Sequence, residues 1–480
     1  MPATAQETSP VRTRPSTAWW RWAVVLLPAV ALFVVTIPGL NAMQCRLLGV
    51  FLATIIALVA QPVAMGVTMF LALTVLALTR TLPPAKLFSG FGNVTVWLIF
   101  AAFLFARAVT VTGFGARIGY IFIKLFARTP LTLGYSLAAA DAVLAPFIPS
   151  DTARGGGIVC PMARSVAQAF GSEPGGTARH MGSFLMLVAF HATYTASAMF
   201  LTGMAANPVM ADFALKIAHV DLTWMRWFLA AIVPGTLTLL VMPYLIYRLD
   251  PPELRDVHPA RELARKELAR MGPMSRNERW LLAIMLGVMA GWVTSPWHGI
   301  SNTFVALTGV TCILLAKVLT WEDLLGERKA WDALVWFASL LMMSDALNEA
   351  GVIKFFSDGL FHSMRGWSWG MVLVGLVVAY LYIHYSFASM TAHIMALYPG
   401  FLGAALAGGV PPLLAALPLA FFSNLNAGLT HYGTGSAPVY FGAGYVGQGT
   451  WWKLGFLLSV VNLAIWMGIG IFWWKLIGLW

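Results

Sequence analysis

The sequence predicts an all-α polytopic membrane protein with about 11 transmembrane helices and two re-entrant hairpins, in two inverted-topology repeats. Three observations predict it. Of 480 residues, 59% are hydrophobic and only 10% charged, against ~25% charged in soluble domains, so most of the chain must be solvated by lipid. Apolar runs of roughly 16–25 residues recur, close to the length a helix needs to cross a bilayer; they are continuous rather than alternating, which argues against a β-barrel. Two polar stretches also interrupt apolar segments at a fixed register: Ser150-Asp151-Thr152-Ala153-Arg154 and Ser389-Met390-Thr391-Ala392-His393 lie 239 positions apart. Trp97 and Trp336 share that offset. The match reads as an internal duplication whose halves build one site.

The elements follow in order. Residues 1–22, polar at first and rich in Pro and Thr, read as a disordered cytoplasmic N-terminus. The first half, 23–247, begins with spans near 23–40, 44–62, 65–80 and 92–110. The charged 113–128 segment reads as interfacial. The 131–169 segment is apolar on both arms but carries Pro146, Pro149 and Gly155–Gly157 between them. A through-going helix would not be broken so heavily, so it reads as a hairpin with the Ser-Asp-Thr stretch at its tip. Irregular backbone at membrane depth is tolerated only when buried in protein or lining a cavity. Spans near 180–206 and 223–247 close the half.

Residues 248–279 are highly charged, and their Arg-Glu-Leu-Ala-Arg-Lys-Glu-Leu-Ala-Arg core has helical charge spacing; they read as a solvated cytoplasmic linker. The second half, 280–480, has spans near 280–296, 302–318 and 331–350. An interfacial segment near 353–365, a hairpin over 369–405, a broken span near 412–446 and a last span near 454–478 follow. With the N-terminus inside, 21 of the 30 Lys and Arg fall on cytoplasmic loops or ends and eight outside. This charge bias orients the chain, leaves the C-terminus outside and gives the two halves opposite orientation. Inverted repeats with discontinuous helices are a signature of secondary transporters.

The +11 net charge therefore reports orientation rather than a nucleic-acid partner. Cys45, Cys160 and Cys312 sit in apolar surroundings and suggest neither a disulfide nor a metal site. Hairpin tips expose backbone N–H groups and short hydroxyls, and helix N-termini favour anions. Ser150, Thr152, Ser389 and Thr391 supply donors, and two such tips at the midplane would hold an anion with two separated negative groups. Arg154 and His393 add cationic character behind the tips, where a charge is costly and usually marks function; a pair with Asp151 or Asp141 that holds the hairpin together is the alternative for Arg154. Unwound stretches around Thr195 and Ser197 in the first half, and around Asn424, Thr430, His431 and Gly433 in the second, are expected to complete the cavity walls. Asp345 and Glu349, four apart on one helical face, are expected to act at the interface rather than as a proton relay.

At these residues the sequence resembles the divalent anion:sodium symporter family. Ser150-Asp151-Thr152 is similar to its first Ser-Asn-Thr hairpin motif, and Ser389-Met390-Thr391 to its second. Thr152-Ala153-Arg154-Gly155, Ala388–His393 and Leu429–Gly435 resemble the exchanger branch, which holds citrate/succinate and tartrate/succinate antiporters and 2-oxoglutarate/malate translocators. The resemblance runs from residue 23 to the end. It implies a homodimeric elevator-type transporter of di- or tricarboxylates in a bacterial inner membrane, without cofactor or metal. It implies substrate contacts at Ser150, Asp151, Thr152, Ser389, Met390, Thr391 and Thr434, with Arg154 and His393 replacing the coupling cation. Asp151 stands where the family has Asn; beside a dianion it must be protonated, paired with Arg154 or turned away. Met390 replaces an Asn of the sodium-coupled members. Sodium-independent exchange is the expected activity, with sodium- or proton-coupled symport through Asp151 as the alternative. No His-Glu-x-x-His or paired-Asp motif points to an enzyme.

Overall fold

The computed structural model describes residues 19–480. Most of the expected disordered N-terminus lies outside them; its last residues, Trp19–Trp22, instead open the helix Trp19–Val34. The described chain is helical throughout. Eight helices are long and apolar enough to cross a membrane, and the shorter apolar helices Trp19–Val34, Met65–Leu78 and Asn302–Leu315 accompany them. Several begin at side-chain caps visible in the sequence: Asn41 with Gln44, Thr129 with Thr132, and Ser275 with Glu278 form reciprocal capping boxes.

One helix organises the interior. All 18 residues of Gly182–Met199 are buried, because Pro130–Leu144, Cys160–Ala169, Trp224–Leu249 and Pro412–Leu425 pack around it. Such a helix must be apolar all round or satisfy its polar groups internally. It does the latter: Thr193, Thr195 and Ser197 each hydrogen-bond the carbonyl four residues back. The expectation that this stretch is unwound is therefore corrected. The helix is regular to Met199, and the break falls over 200–206, before the helix Asn207–Ala218. Asn207 secures the break with its amide, donating to Ser197 O and Phe200 O at 2.9 Å each. The corresponding break in the second half follows Leu425, through a tight turn at Asn426–Leu429 and an irregular stretch before the short helix Ala437–Gly442.

A second group surrounds Arg328–Glu349, which packs on Ala42–Ala60, Met65–Leu78 and Val94–Thr112. Lys216, on Asn207–Ala218, joins the two groups by binding both oxygens of Asp345 at 2.8 Å. Glu349 meets Lys86 at 2.6 Å. Both carboxylates are thus paired with lysines. Trp97 and Trp336, which share the repeat offset, part company: Trp97 donates to Phe91 O, while Trp336 faces the cavity described below.

The charged linker is only partly solvated, contrary to expectation. It contains the helix His258–Met271, whose Ala260 and Ala264 are fully buried against Phe114–Phe126 and Cys160–Ala169. Arg117 anchors its end, with its Nε 2.5 Å from Glu278 and further donors on Gly272 O and Met271 O. Burial alone would push the Glu278 carboxyl up, but hydrogen bonds from Arg117 and Ser275 outweigh it and hold it below the usual carboxylate range. The stabilisation is therefore present at pH above the ordinary glutamate range and is lost as pH falls through the lowered value. Arg117→Ala leaves a buried carboxylate unpaired and is expected to cost about 3 kcal/mol, read as a lower melting temperature in detergent at pH 7. The deficit should shrink as the pH is taken toward 4; equal melting of variant and wild type at pH 7 would show that the pair carries nothing.

Candidate functional site: two capped tips on one cavity

Each hairpin turns in the same way. In the first, Pro130–Leu144 ends in a tight turn at Ala145–Phe147, and residues Ile148–Ser150 run extended into a second arm that is wide-turned over Thr152–Val159 and regular over Cys160–Ala169. Ser150 caps that arm: its Oγ accepts from Ala153 N at 3.1 Å and its carbonyl from Arg154 N at 2.8 Å. In the second hairpin, Trp369–Ile383 gives way to a tight turn at His384–Ser386, and Ser389 caps Met390–Ala407. Its Oγ accepts from Ala392 N at 3.3 Å and its carbonyl from His393 N at 3.1 Å. The same two hydrogen bonds recur at the 239-residue offset. Gly155 is needed beside the first tip, since a Cβ there would lie 2.6 Å from the Thr193 methyl.

Both tips open on one cavity of about 420 Å³, within the ~300–1,000 Å³ of small-molecule sites. Ser150, Asp151, Thr152, Ser389, Met390, Thr391 and Thr434 all line it, so the structure brings the seven expected contact residues together. The cavity holds two helix N-termini, several hydroxyls and little basic charge, an arrangement that recognises anions through dipoles and hydrogen bonds.

Asp151 is turned away from Arg154. Its Oδ2 accepts from Thr434 Oγ1 and, at 3.0 Å, from Ser436 Oγ. The carboxylate thereby ties the first tip to the broken helix of the other half. Ser436 was not among the expected site residues; its sequence signal was its place two positions after Thr434.

Arg154 is fully buried and lies behind the tip. Its Nε meets Asp141 Oδ1 at 3.0 Å. Its Nη1 donates to Ile148 O and Gly203 O, and its Nη2 to Thr193 O and Ser197 Oγ. These five bonds use every guanidinium proton, so Arg154 organises the tip and the 200–206 break but has no donor left for the cavity. Its charge is matched by Asp141, the more distant of the two carboxylates that the sequence offered as a partner. His393 is also buried behind its tip, 3.2 Å from His384 through the two Nδ1 atoms. His384 Nε2 faces Gly433 O at 2.8 Å. A carbonyl only accepts, so His384 donates from Nε2, and the two facing Nδ1 atoms share one proton between them. His393 Nε2 has no partner among the described residues.

The expected wall residues do not reach the cavity. Thr195 and Ser197 bond inside their helix. Asn424 donates to Asn207 Oδ1 at 2.9 Å, His431 accepts from Trp452 Nε1 at 3.0 Å, Thr430 is buried, and Gly433 serves His384. They brace the breaks. The rest of the lining comes instead from Gln61, Met65, Lys329, Asp332, Ala333 and Trp336, with Met204 and Ala205 from the first break. Gln61 adopts a left-handed conformation at φ 45° where Ala42–Ala60 ends, an uncommon one for a side chain and often found at functional sites.

Residues 16–480 match the family model of the sodium:sulfate symporter transmembrane region. The chain belongs to the divalent anion:sodium symporter family. This family member is 47% identical over 467 residues to a putative malate transporter, YflS, of Bacillus subtilis, covering 95% of this chain and 98% of that protein. It is 44% identical to the chloroplastic dicarboxylate transporter 1 of Spinacia oleracea, over 95% of this chain and 81% of that one. Among solved structures, the YdaH transporter of Alcanivorax borkumensis shares the fold with a TM-score of 0.55 and 16% identity, covering 82% of this chain and 86% of its own. The protein is thus a multi-pass membrane transporter and not an enzyme.

Proposed function

We propose that this symporter-family protein moves dicarboxylates such as malate, succinate or 2-oxoglutarate across a bacterial inner membrane, one anion in exchange for another. The observation that carries the reading is the convergence of two serine-capped helix N-termini on a single cavity, which suits an anion with two separated negative groups. The names of the relatives point to the same substrate class. Citrate is the larger candidate for the same cavity. The cycle we infer is an elevator motion in a homodimer of inverted repeats, with the N-terminus cytoplasmic and the C-terminus outside. In that orientation Lys329 and the turn at Gln61–Met65 share the cytoplasmic side, so the cavity is inward-open.

A second reading has a specific observation in its favour. Arg154 is matched by Asp141, and no cation pairs with Asp151 among the described residues. A proton carried on Asp151 would remove its repulsion of a dianion and couple uptake to a proton gradient. Uptake of labelled malate, succinate, 2-oxoglutarate and citrate into proteoliposomes separates the readings. Exchange requires internal dicarboxylate and ignores sodium and pH gradients. Uptake into empty vesicles that follows a proton or sodium gradient would replace exchange by symport.

A further inference from the structure

The helix Arg328–Glu349 lines the same cavity with Lys329, Asp332, Ala333 and Trp336. Steps of three, four and seven residues put these side chains on one helical face. Lys329 occupies the first turn of that helix, where the macrodipole disfavours a cation, so its position is not explained by helix stability. No ion pair involves it among the described residues. The other charged groups lining the cavity are Asp151 and Asp332, both of which repel an anion. Lys329 is therefore the one basic side chain lining the cavity among the described residues, since Arg154 and His393 lie behind the tips.

We propose that Lys329 is a specificity-determining residue that supplies the cation beside a dicarboxylate whose two carboxylates are held at the two hairpin tips. The assignment rests on the dicarboxylate reading above and deepens it: the tips hold the carboxylates through dipoles and hydrogen bonds, and Lys329 adds a full cation whose attraction grows with the second negative charge. Asp332, one turn along the same face, acts with the opposite sign and weakens the hold on the anion, favouring release.

The test uses the full-length protein in proteoliposomes, with labelled malate as the dianion and lactate as the competing monoanion. Lys329→Gln is expected to raise the KM for malate about tenfold, equivalent to about 1.4 kcal/mol, with kcat within about twofold. It should reduce the preference for malate over lactate by a similar factor and flatten the salt dependence of kcat/KM. Lys329→Arg should retain wild-type KM, and Asp332→Asn should lower it. Lys329 is exposed, so the melting temperature without ligand should not change, while the malate-induced rise in melting temperature should shrink. Wild-type malate uptake with an unchanged KM in Lys329→Gln overturns this assignment alone, as does a parallel loss in Lys329→Gln and Asp332→Asn. Absence of dicarboxylate uptake by the wild type overturns the transport reading and this assignment with it.

Discussion

Arg154→Met is expected to abolish malate uptake and to lower the melting temperature of the purified protein. The side chain is fully buried and its guanidinium joins Asp141, the tip carbonyl Ile148 O, the break carbonyl Gly203 O, and Thr193 and Ser197 of the central helix. Removing one partner of a buried pair typically costs about 3–5 kcal/mol, because the other charge is left uncompensated. The double variant Arg154→Met/Asp141→Leu removes both charges together and should recover much of the lost melting temperature. It should not recover uptake, since Ile148 O and Gly203 O still lack their donor and the tip is no longer held to the break. Wild-type uptake in Arg154→Met would show that the hub is dispensable. Uptake restored in the double variant would show that only charge balance matters there.

Asp151 gives the second large effect, and two substitutions separate its roles. Asp151→Ala removes the acceptor for Thr434 and Ser436, whose side chains are almost fully buried. Each stranded hydroxyl costs about 1–3 kcal/mol, so uptake is expected to fall by about a hundredfold. Asp151→Asn keeps an oxygen for both hydroxyls and removes only the charge. Under exchange it should lower the KM for malate, because a negative charge has left the cavity, and uptake should respond to pH as in the wild type. Under proton coupling it should uncouple transport from the proton gradient while leaving counterflow intact. The two measurements, KM at fixed pH and uptake against a pH gradient, therefore decide between the readings. An Asn variant as inactive as the Ala variant would mean that the carboxylate itself is required.

The tips were legible because their chemistry is local. A serine followed three residues later by its amide donor, after a proline or a tight turn, signals a helix start wherever it occurs; Ser150 and Ser389 cap their arms for that reason. The cavity wall was misassigned because polar density was read as unwinding. Thr195 and Ser197 satisfy themselves on carbonyls four residues back, a bond that leaves a helix intact. The actual break, at 200–206, contains one threonine and one glycine in an otherwise apolar stretch and so gave a weaker signal. Lys329 entered only among the basic residues on cytoplasmic loops and Asp332 was not singled out, since nothing nearby in sequence connects either to tips some 60–180 positions away.

By itself the sequence determined that this protein lives in a bilayer, that its chain is helical, and that two serine-capped hairpins stand at a fixed register. Lipid cannot satisfy backbone polar groups, so composition alone imposes helices, and capping is decided within four residues. Only the tertiary structure decided which carboxylate Arg154 binds. Asp151 is three residues away and Asp141 thirteen, yet the guanidinium takes the distant one, and Asp151 turns to hydroxyls 283 and 285 positions on. In a buried site, partners are chosen by which groups the packing brings within hydrogen-bond reach, not by separation along the chain.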